Sequence, residues 1–475
     1  MILAPALGPA PFFDKKSQRR GVGCHALYPM LSFDAFLGES SRMTKSPARP
    51  TKAGRATSEL FENVTDPFDG TLNDDLVVER TEKGLKVVKN GSARSVAGFE
   101  RKLPESSPQV AGKEVSLDKA VAEAAKLIGK AALPLYGGLA TDVEGMRAAL
   151  ALAERTGGIV DHALSEAQYR NFKVLQTTGW ITSTLTETRN RADFIIIAGS
   201  DVFKLHPRFY ETIVSPPDSM FEVTAPKRTL VFISKGLDGG VAKGSRIGDV
   251  ITLACRPEQA GEVVGVLRAR LRGFRLKPVK IDGVTLAEID ALAEKCKHAN
   301  YGVVVWAPPS LNFPFAELAV EQFAGLAKDL NQTTRFAGLS LGGGEGAITA
   351  AAVCTWISGY PLRVSYATGA PDYDPYRWSI DRMLKEGEGD LLVWIASISP
   401  DFAPPETKLP TIVLGTPGLK LAKPPQVFIP VGTPGVDHAG RMIRVDNVVS
   451  LPLKDLGRAE LPPAADVLAA IEAAL

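Results

Sequence analysis

The sequence predicts an α/β protein of more than one domain, built on parallel sheets. Two observations carry this. From Val110 onward, helix-like and strand-like segments alternate, which is the pattern of a parallel sheet with helices on both faces. The 475 residues are 45% hydrophobic and 23% charged, a globular composition long enough for two to four domains. The expected division is a leader over residues 1–55, a small domain over 56–110, an α/β domain over 111–280, and a second α/β region with a C-terminal helix over 281–475.

In order, Ser116 to Ala131 reads as an amphipathic helix, followed by a short strand from Leu133 to Tyr136. Thr141-Asp142-Val143-Glu144 has the form of a capping box, with Thr141 accepting from the amide three residues on and Glu144 bonding back. The helix it opens is expected to stop at Gly157-Gly158, where glycine tolerates the left-handed cap. Strands follow at Ile159–Asp161, Phe194–Ala198, Leu230–Ser234 and Val250–Ala254, then a helix from Pro257 to Arg272. The second half repeats the alternation with helix Leu286–His298, strand Tyr301–Trp306 and helix Phe315–Asn331. Strands at Leu391–Ile395, Thr411–Leu414 and Gln426–Ile429 continue it, and helix Ala464–Leu475 ends it.

Composition narrows the function classes. A formal charge of +2 and a pI near 8.2 give no field that argues for nucleic acid or anionic lipid. No apolar run approaches the roughly 18 residues of a membrane span. The leader is rich in Pro, Ser, Lys and Arg, and an apolar start precedes its basic Lys15–Arg20 stretch, the reverse of an export signal. Met43 is an alternative start to Met1. Cys24, Cys255, Cys296 and Cys354 show no metal or disulfide spacing, and Cys255 and Cys354 are expected to be buried small hydrophobes.

Several segments admit a functional and a plain reading. Asp66-Pro67-Phe68-Asp69-Gly70-Thr71-Leu72-Asn73-Asp74-Asp75 has the three- and four-residue intervals of an iron–sulfur loop, but Asp66, Asp69 and Asn73 stand where thiolates are needed. Hard oxygen ligands suit an iron–sulfide core poorly. These acids could chelate a hard cation, yet they do not follow the EF-hand pattern, and turn or strand-entry roles are expected. Gly342-Gly343-Gly344-Glu345-Gly346 precedes an apolar helix, either as a tight turn or as an anion cradle; no Lys-Ser or Lys-Thr follows it, so it is not an NTPase loop. His206-Pro207-Arg208 follows a strand where α/β sheets hold ligands, and is expected to open a helix with His206 packed or hydrogen-bonded. His162, Ser165 and Glu166 evoke a hydrolase triad without a Gly-x-Ser-x-Gly elbow, so Ser165 is expected to cap a helix.

The loop is not alone. Asn190–Ala198 (NRADFIIIA), His206-Pro207-Arg208 and Trp356-Ile357-Ser358-Gly359-Tyr360-Pro361, in a stretch running from about Glu62 to the C-terminus, resemble the B subunit of formylmethanofuran dehydrogenase. That family implies the molybdopterin oxidoreductase fold of the dimethyl-sulfoxide-reductase-like superfamily, and in redox members an iron–sulfur cluster beside a molybdenum or tungsten pterin. Carried onto this chain, the metal-site Cys-His pair falls at Ala167 and Gln168, and a fourth cluster cysteine near Ser92. The resemblance therefore implies a non-redox subunit with no catalytic residue, no metal and no cofactor of its own. Vestigial cavity candidates are Gly342, Gly343, Gly344, Gly346, His206 and Arg208; Asp66, Asp69, Asn73, Ser92 and Ala167 are lost-ligand positions.

It further implies a cytoplasmic formyltransferase/hydrolase complex in C1 oxidation, moving formyl from a tetrahydromethanopterin carrier to a methanofuran-like carrier and releasing formate. The implied partners are a formyltransferase subunit, a zinc-bearing amidohydrolase-like subunit and a further small subunit. Residues Tyr360–Tyr376, with Tyr366, Pro371 and Tyr373, are the candidate contact surface. Two alternatives stand beside this reading: a live pterin enzyme that holds its metal through a substituted ligand such as Ser165 or through no protein ligand, and an independent nucleotide-binding enzyme using the glycine loop.

Overall fold

The structure is a computed structural model that describes residues 58–221, 227–237, 244 and 246–475. The leader, the choice between Met1 and Met43, and Cys24 lie outside the described residues. The predicted α/β character is realised in two large sheets. Five parallel strands lie in the order Ile247–Leu253, Arg228–Ile233, Phe194–Ala198, Gly302–Trp306, Phe336–Ser340. Their segments run as continuous apolar stretches because helices cover both faces, as in Phe194–Ala198, where every residue is buried. The second sheet has nine strands, with a parallel centre of Ile159–Val160, Pro134–Ala140, Leu391–Ala396, Thr411–Gly415 and Val427–Pro430. Antiparallel two-residue strands extend it at both edges. A smaller antiparallel sheet joins Glu59–Val64, Leu76–Thr81 and Gly84–Lys89.

The expected boundary at residue 280 does not divide the molecule. Each large sheet takes strands from both sides of it, and the chain from Ala56 to Leu475 forms one compact unit. The alternation of helix and strand is the same on either side of 280, so periodicity carries no sign of which strands share a sheet. Other elements shift locally. The N-cap of helix Val143–Thr156 is Asp142, whose carboxylate accepts from the Gly145 amide at 3.0 Å; Thr141, the expected cap, sits one residue earlier. Gly157 does close that helix in the left-handed conformation, at φ 66°. Helix Ser165–Thr177 begins without a side-chain cap, since the Ser165 hydroxyl is bound to Arg363 instead. Cys255, Cys296 and Cys354 are buried, as apolar packing requires.

In the five-stranded sheet the chain starts at the central strand Phe194–Ala198, builds outward to one side, then returns to build from Gly302–Trp306 on the other. The carboxyl ends of these two strands flank the crevice where open α/β sheets receive ligands. The outer strand Phe336–Ser340 ends in the glycine run, which leads into helix Ala347–Ser358. Gly346 (φ 69°) lies so close to the second sheet that a Cβ there would sit 2.7 Å from the carbonyl oxygen of Thr141. The glycine loop is thus the junction of the two sheets.

Candidate functional site

Two features meet at this junction: a polar knot made by the turn over residues 66–73, and a cavity on the other side of the glycine loop. The knot begins with a local turn. Asp66 Oδ1 accepts from the Phe68 amide at 2.9 Å, and the Asp66 amide donates to the Asn73 carbonyl at 2.8 Å. Asp69 Oδ1 accepts from the amide and the hydroxyl of Thr71, each at 3.0 Å, and Asn73 Nδ2 donates to Thr71 Oγ1 at 2.9 Å. Two bonds then leave the turn. Ser95 Oγ donates to Asp66 Oδ2 at 2.5 Å, and Ser95 is held by Ser92, the cap of helix Ala93–Phe99. Asp69 Oδ1 pairs with His206 Nδ1 at 2.6 Å, with both side chains almost wholly buried.

The four positions at which the resemblance implies cluster thiolates, 66, 69, 73 and 92, are therefore gathered in one place, and each carries an oxygen-bearing side chain engaged with its neighbours. This donor set does not suit an iron–sulfur core, which takes thiolates. Among the described residues no group of three or more His, Cys, Asp or Glu has the arrangement of a metal site. Burial pushes the Asp66 carboxyl up to about 6, against the opposing hydrogen bonds from Ser95 and Phe68. At Asp69 burial also pushes upward, but the hydrogen bond and charge of His206, with Thr71, outweigh it and hold the carboxyl below its usual range. Gly70 is the point of closest approach: a Cβ there would lie 2.8 Å from the carbonyl oxygens of both Gly342 and Gly343. Gly70 also accepts from the Val445 amide at 2.8 Å. One face of the glycine loop is filled by this turn.

The cavity measures about 550 Å³. Helix Ser165–Thr177 contributes Ala167 and Gln168 to one wall, helix Ala347–Ser358 contributes Ala347 and Ala351 to the other, and Gly342 and Gly343 line it between them. Ala167 presents only a methyl group where the resemblance implies a metal ligand. Leu175, Trp356 and Val448 line the cavity and are substantially exposed, Trp356 at 62%. Of the six cavity candidates, only Gly342 and Gly343 line it. His206 pairs with Asp69 through Nδ1, its Nε2 being buried without a partner, and Arg208 reaches the entry to the small sheet, its Nη1 and Nη2 on Asp75 at 2.6 and 2.9 Å and its Nε on Glu211 at 2.6 Å. Arg208 does not open a regular helix either; a turn of π-helix, Tyr210–Val214, follows it.

The triad is not formed. His162 Nε2 meets the Glu345 carbonyl at 3.0 Å and its Nδ1 accepts from the Leu164 amide, so neither nitrogen reaches the Ser165 hydroxyl. Burial pulls the imidazole down to about 4, which keeps it neutral near pH 7. Ser165 Oγ instead accepts from Arg363 Nη2 at 3.1 Å, and Arg363 also holds Glu166 at 2.8 Å. Ser165 is not among the residues lining the cavity. Glu345 is a largely buried titratable group that the sequence did not single out. It takes a left-handed φ of 54°, its Oε2 is buried without a partner, and burial pushes its carboxyl up to about 7. A charged residue inside a glycine run was the visible signal. Among the proposed contact aromatics, Tyr366 is a core residue, while Tyr360 and Tyr376 are exposed, with Tyr360 stacked on Tyr373 at 5.0 Å.

No family model matches the chain. In sequence and in structure the chain is similar to B subunits of formylmethanofuran-linked assemblies. It is 29% identical over 408 residues, covering 82% of this chain and 92% of that protein, to the B subunit of the tungsten-containing formylmethanofuran dehydrogenase 2 of Methanocaldococcus jannaschii. It is 28% identical over 335 residues, 70% of this chain and 87% of that protein, to the B subunit of the formyltransferase/hydrolase complex Fhc of Methylorubrum extorquens. Among solved structures it matches a chain of the formyltransferase/hydrolase complex FhcABCD from Methylorubrum extorquens, determined with methylofuran, at a TM-score of 0.65 and 28% identity, over 77% of this chain and 98% of that one. The chain is a homologue of the B subunits of formylmethanofuran dehydrogenase and of the Fhc complex, as its sequence motifs indicated.

Proposed function

We propose that this chain is a non-redox, non-catalytic subunit of a formyltransferase/hydrolase complex in one-carbon oxidation. In that complex formyl passes from a tetrahydromethanopterin carrier to a methanofuran-like carrier and is hydrolysed to formate. The observation that carries the reading is the knot. At the positions where a redox relative needs thiolates, Asp66, Asp69, Asn73 and Ser92 bind one another's neighbours and hold three segments of chain together. Ala167 offers no metal ligand, and transfer followed by hydrolysis moves no electrons, so neither cluster nor pterin is required. The chemistry then belongs to a formyltransferase subunit and a zinc-bearing amidohydrolase-like subunit, with a further small subunit completing a cytoplasmic assembly. The exposed Trp356, Ile357, Tyr360 and Tyr376 support a contact surface in this chain.

Co-expression with the three partners tests the proposal. Expected are co-elution as one complex, formate release that depends on the zinc subunit, and no stoichiometric iron, molybdenum or tungsten in this subunit by elemental analysis. About four irons per chain, or a well-behaved monomer that never co-elutes, would overturn it.

A further inference from the structure

On one face of the five-stranded sheet, helix Ala260–Leu271 and the start of helix Ala316–Leu330 enclose an open groove of about 640 Å³. Gly265 keeps it open, since a Cβ there would meet only the side-chain end of Gln322, at 3.5 Å. Its lining is mostly apolar, and two of those side chains are held out to solvent, Phe315 at 74% exposure and Leu318 at 57%. Phe315 also takes a left-handed φ of 58°, which a residue other than glycine adopts at a cost. An exposed aromatic side chain on a strained backbone beside an apolar groove marks a contact surface.

The charges on this face say what covers it. The only charged side chains lining the groove are Glu258 and Glu262, at the amino end of helix Ala260–Leu271. At the carboxyl end the chain continues as the exposed segment Phe274-Arg275-Leu276-Lys277, in which two bases alternate with two apolar residues and Leu276 itself lines the groove. Other charges at that end are occupied: Arg268 and Arg272 hold Asp329, and Arg270 holds Asp290. Glu258, Glu262, Arg275 and Lys277 make no ion pair or side-chain hydrogen bond among the described residues. One face thus offers unpaired acids at one end, unpaired bases at the other, and an apolar strip between them. Turned through half a revolution, such a face is complementary to itself, which is the requirement of an isologous contact.

We propose that this groove is a two-fold contact between two copies of this chain. The helices Ala260–Leu271 run antiparallel across the axis, Glu258 and Glu262 of each copy lie opposite Arg275 and Lys277 of the other, and Phe315 of each copy fills the other's groove. The contact goes beyond the scaffold reading, which requires only unlike partners.

Sedimentation of the full-length chain over a concentration series, alone and in its complex, tests this. Expected is a reversible pairing of two copies that salt weakens. The double reversals Glu258→Lys with Glu262→Lys, and Arg275→Glu with Lys277→Glu, should each weaken pairing about tenfold, and the four substitutions together should restore it, because the reversed ends match again. A folding defect would not be rescued in that way. Phe315→Gly, which suits the left-handed backbone, should weaken pairing while the thermal midpoint of the single chain stays equal or rises. A single copy at every concentration, pairing indifferent to either reversal, or a fourfold variant that stays unpaired would overturn the proposal. So would a complex holding one copy of this chain in which residues 258–277 gain hydrogen-exchange protection, since another subunit would then cover the groove. Loss of the pairing leaves co-elution with the unlike partners intact, so this proposal and the scaffold reading fail separately.

Discussion

Replacing Asp66 by Asn should make the protein more stable above pH 6 and nearly unchanged at pH 4. The carboxyl is completely buried, and burial raises its pKa from 3.8 to about 6 in the folded state. A group protonated more readily when folded favours the folded state at low pH and opposes it once both states are ionised. The penalty is therefore absent below pH 4, develops between pH 4 and 6, and is complete above that. A difference of roughly 2 pH units corresponds to about 3 kcal/mol. Asn keeps the acceptor for the Phe68 amide, and its Nδ2 can donate to Ser95 Oγ, which then donates to Ser92 Oγ 2.8 Å away. Denaturant titrations of the parent and the variant at pH 4, 5, 6, 7 and 8 measure this. The difference between the two proteins removes the other titrating groups, since they are common to both. A stability difference that does not change across the series would refute the assignment of a buried, ionised Asp66.

Asp69→Ala should cost about 3–5 kcal/mol near neutral pH, because it strands the buried His206 imidazole together with the Thr71 amide and hydroxyl. The stabilising effect of Asp69 has the opposite pH sense to that of Asp66: its folded pKa is depressed, so its contribution is present above about pH 4 and lost as pH falls further, and the variant's deficit should shrink in acid. Gly70→Ala should cost about 1–3 kcal/mol, since the new methyl would lie 2.8 Å from two carbonyl oxygens of the glycine loop. A thermal midpoint equal to the parent's would show that this contact is looser than the structure has it.

What the sequence made legible, and what it hid, follows from the range of the forces involved. Strand Phe194–Ala198 was readable because all five of its residues are buried, so composition alone marks it. The edge strands Val364–Ser365 and Asp372–Tyr373 were not, since two residues carry no period. At residues 141–142 two side chains able to cap stand side by side, and the choice was made by tertiary packing: a Cβ on Gly145 would lie 2.1 Å from Thr141 Oγ1, so the Thr141 hydroxyl is packed against the first helical turn while Asp142 caps it. The spacing of Asp66, Asp69 and Asn73 identified the turn, but nothing local to His206 announced that it would pair with Asp69, 137 residues away. That pairing also changes the meaning of the turn. A metal cluster bound at such a loop ties together the segments that supply its ligands. Here Ser95 on Asp66, His206 on Asp69, and the glycine loop and Val445 on Gly70 make the same kind of tie with ordinary hydrogen bonds and close packing. The joint between the small sheet and the crevice is thus closed by the protein's own side chains and backbone, as the proposed non-redox subunit requires.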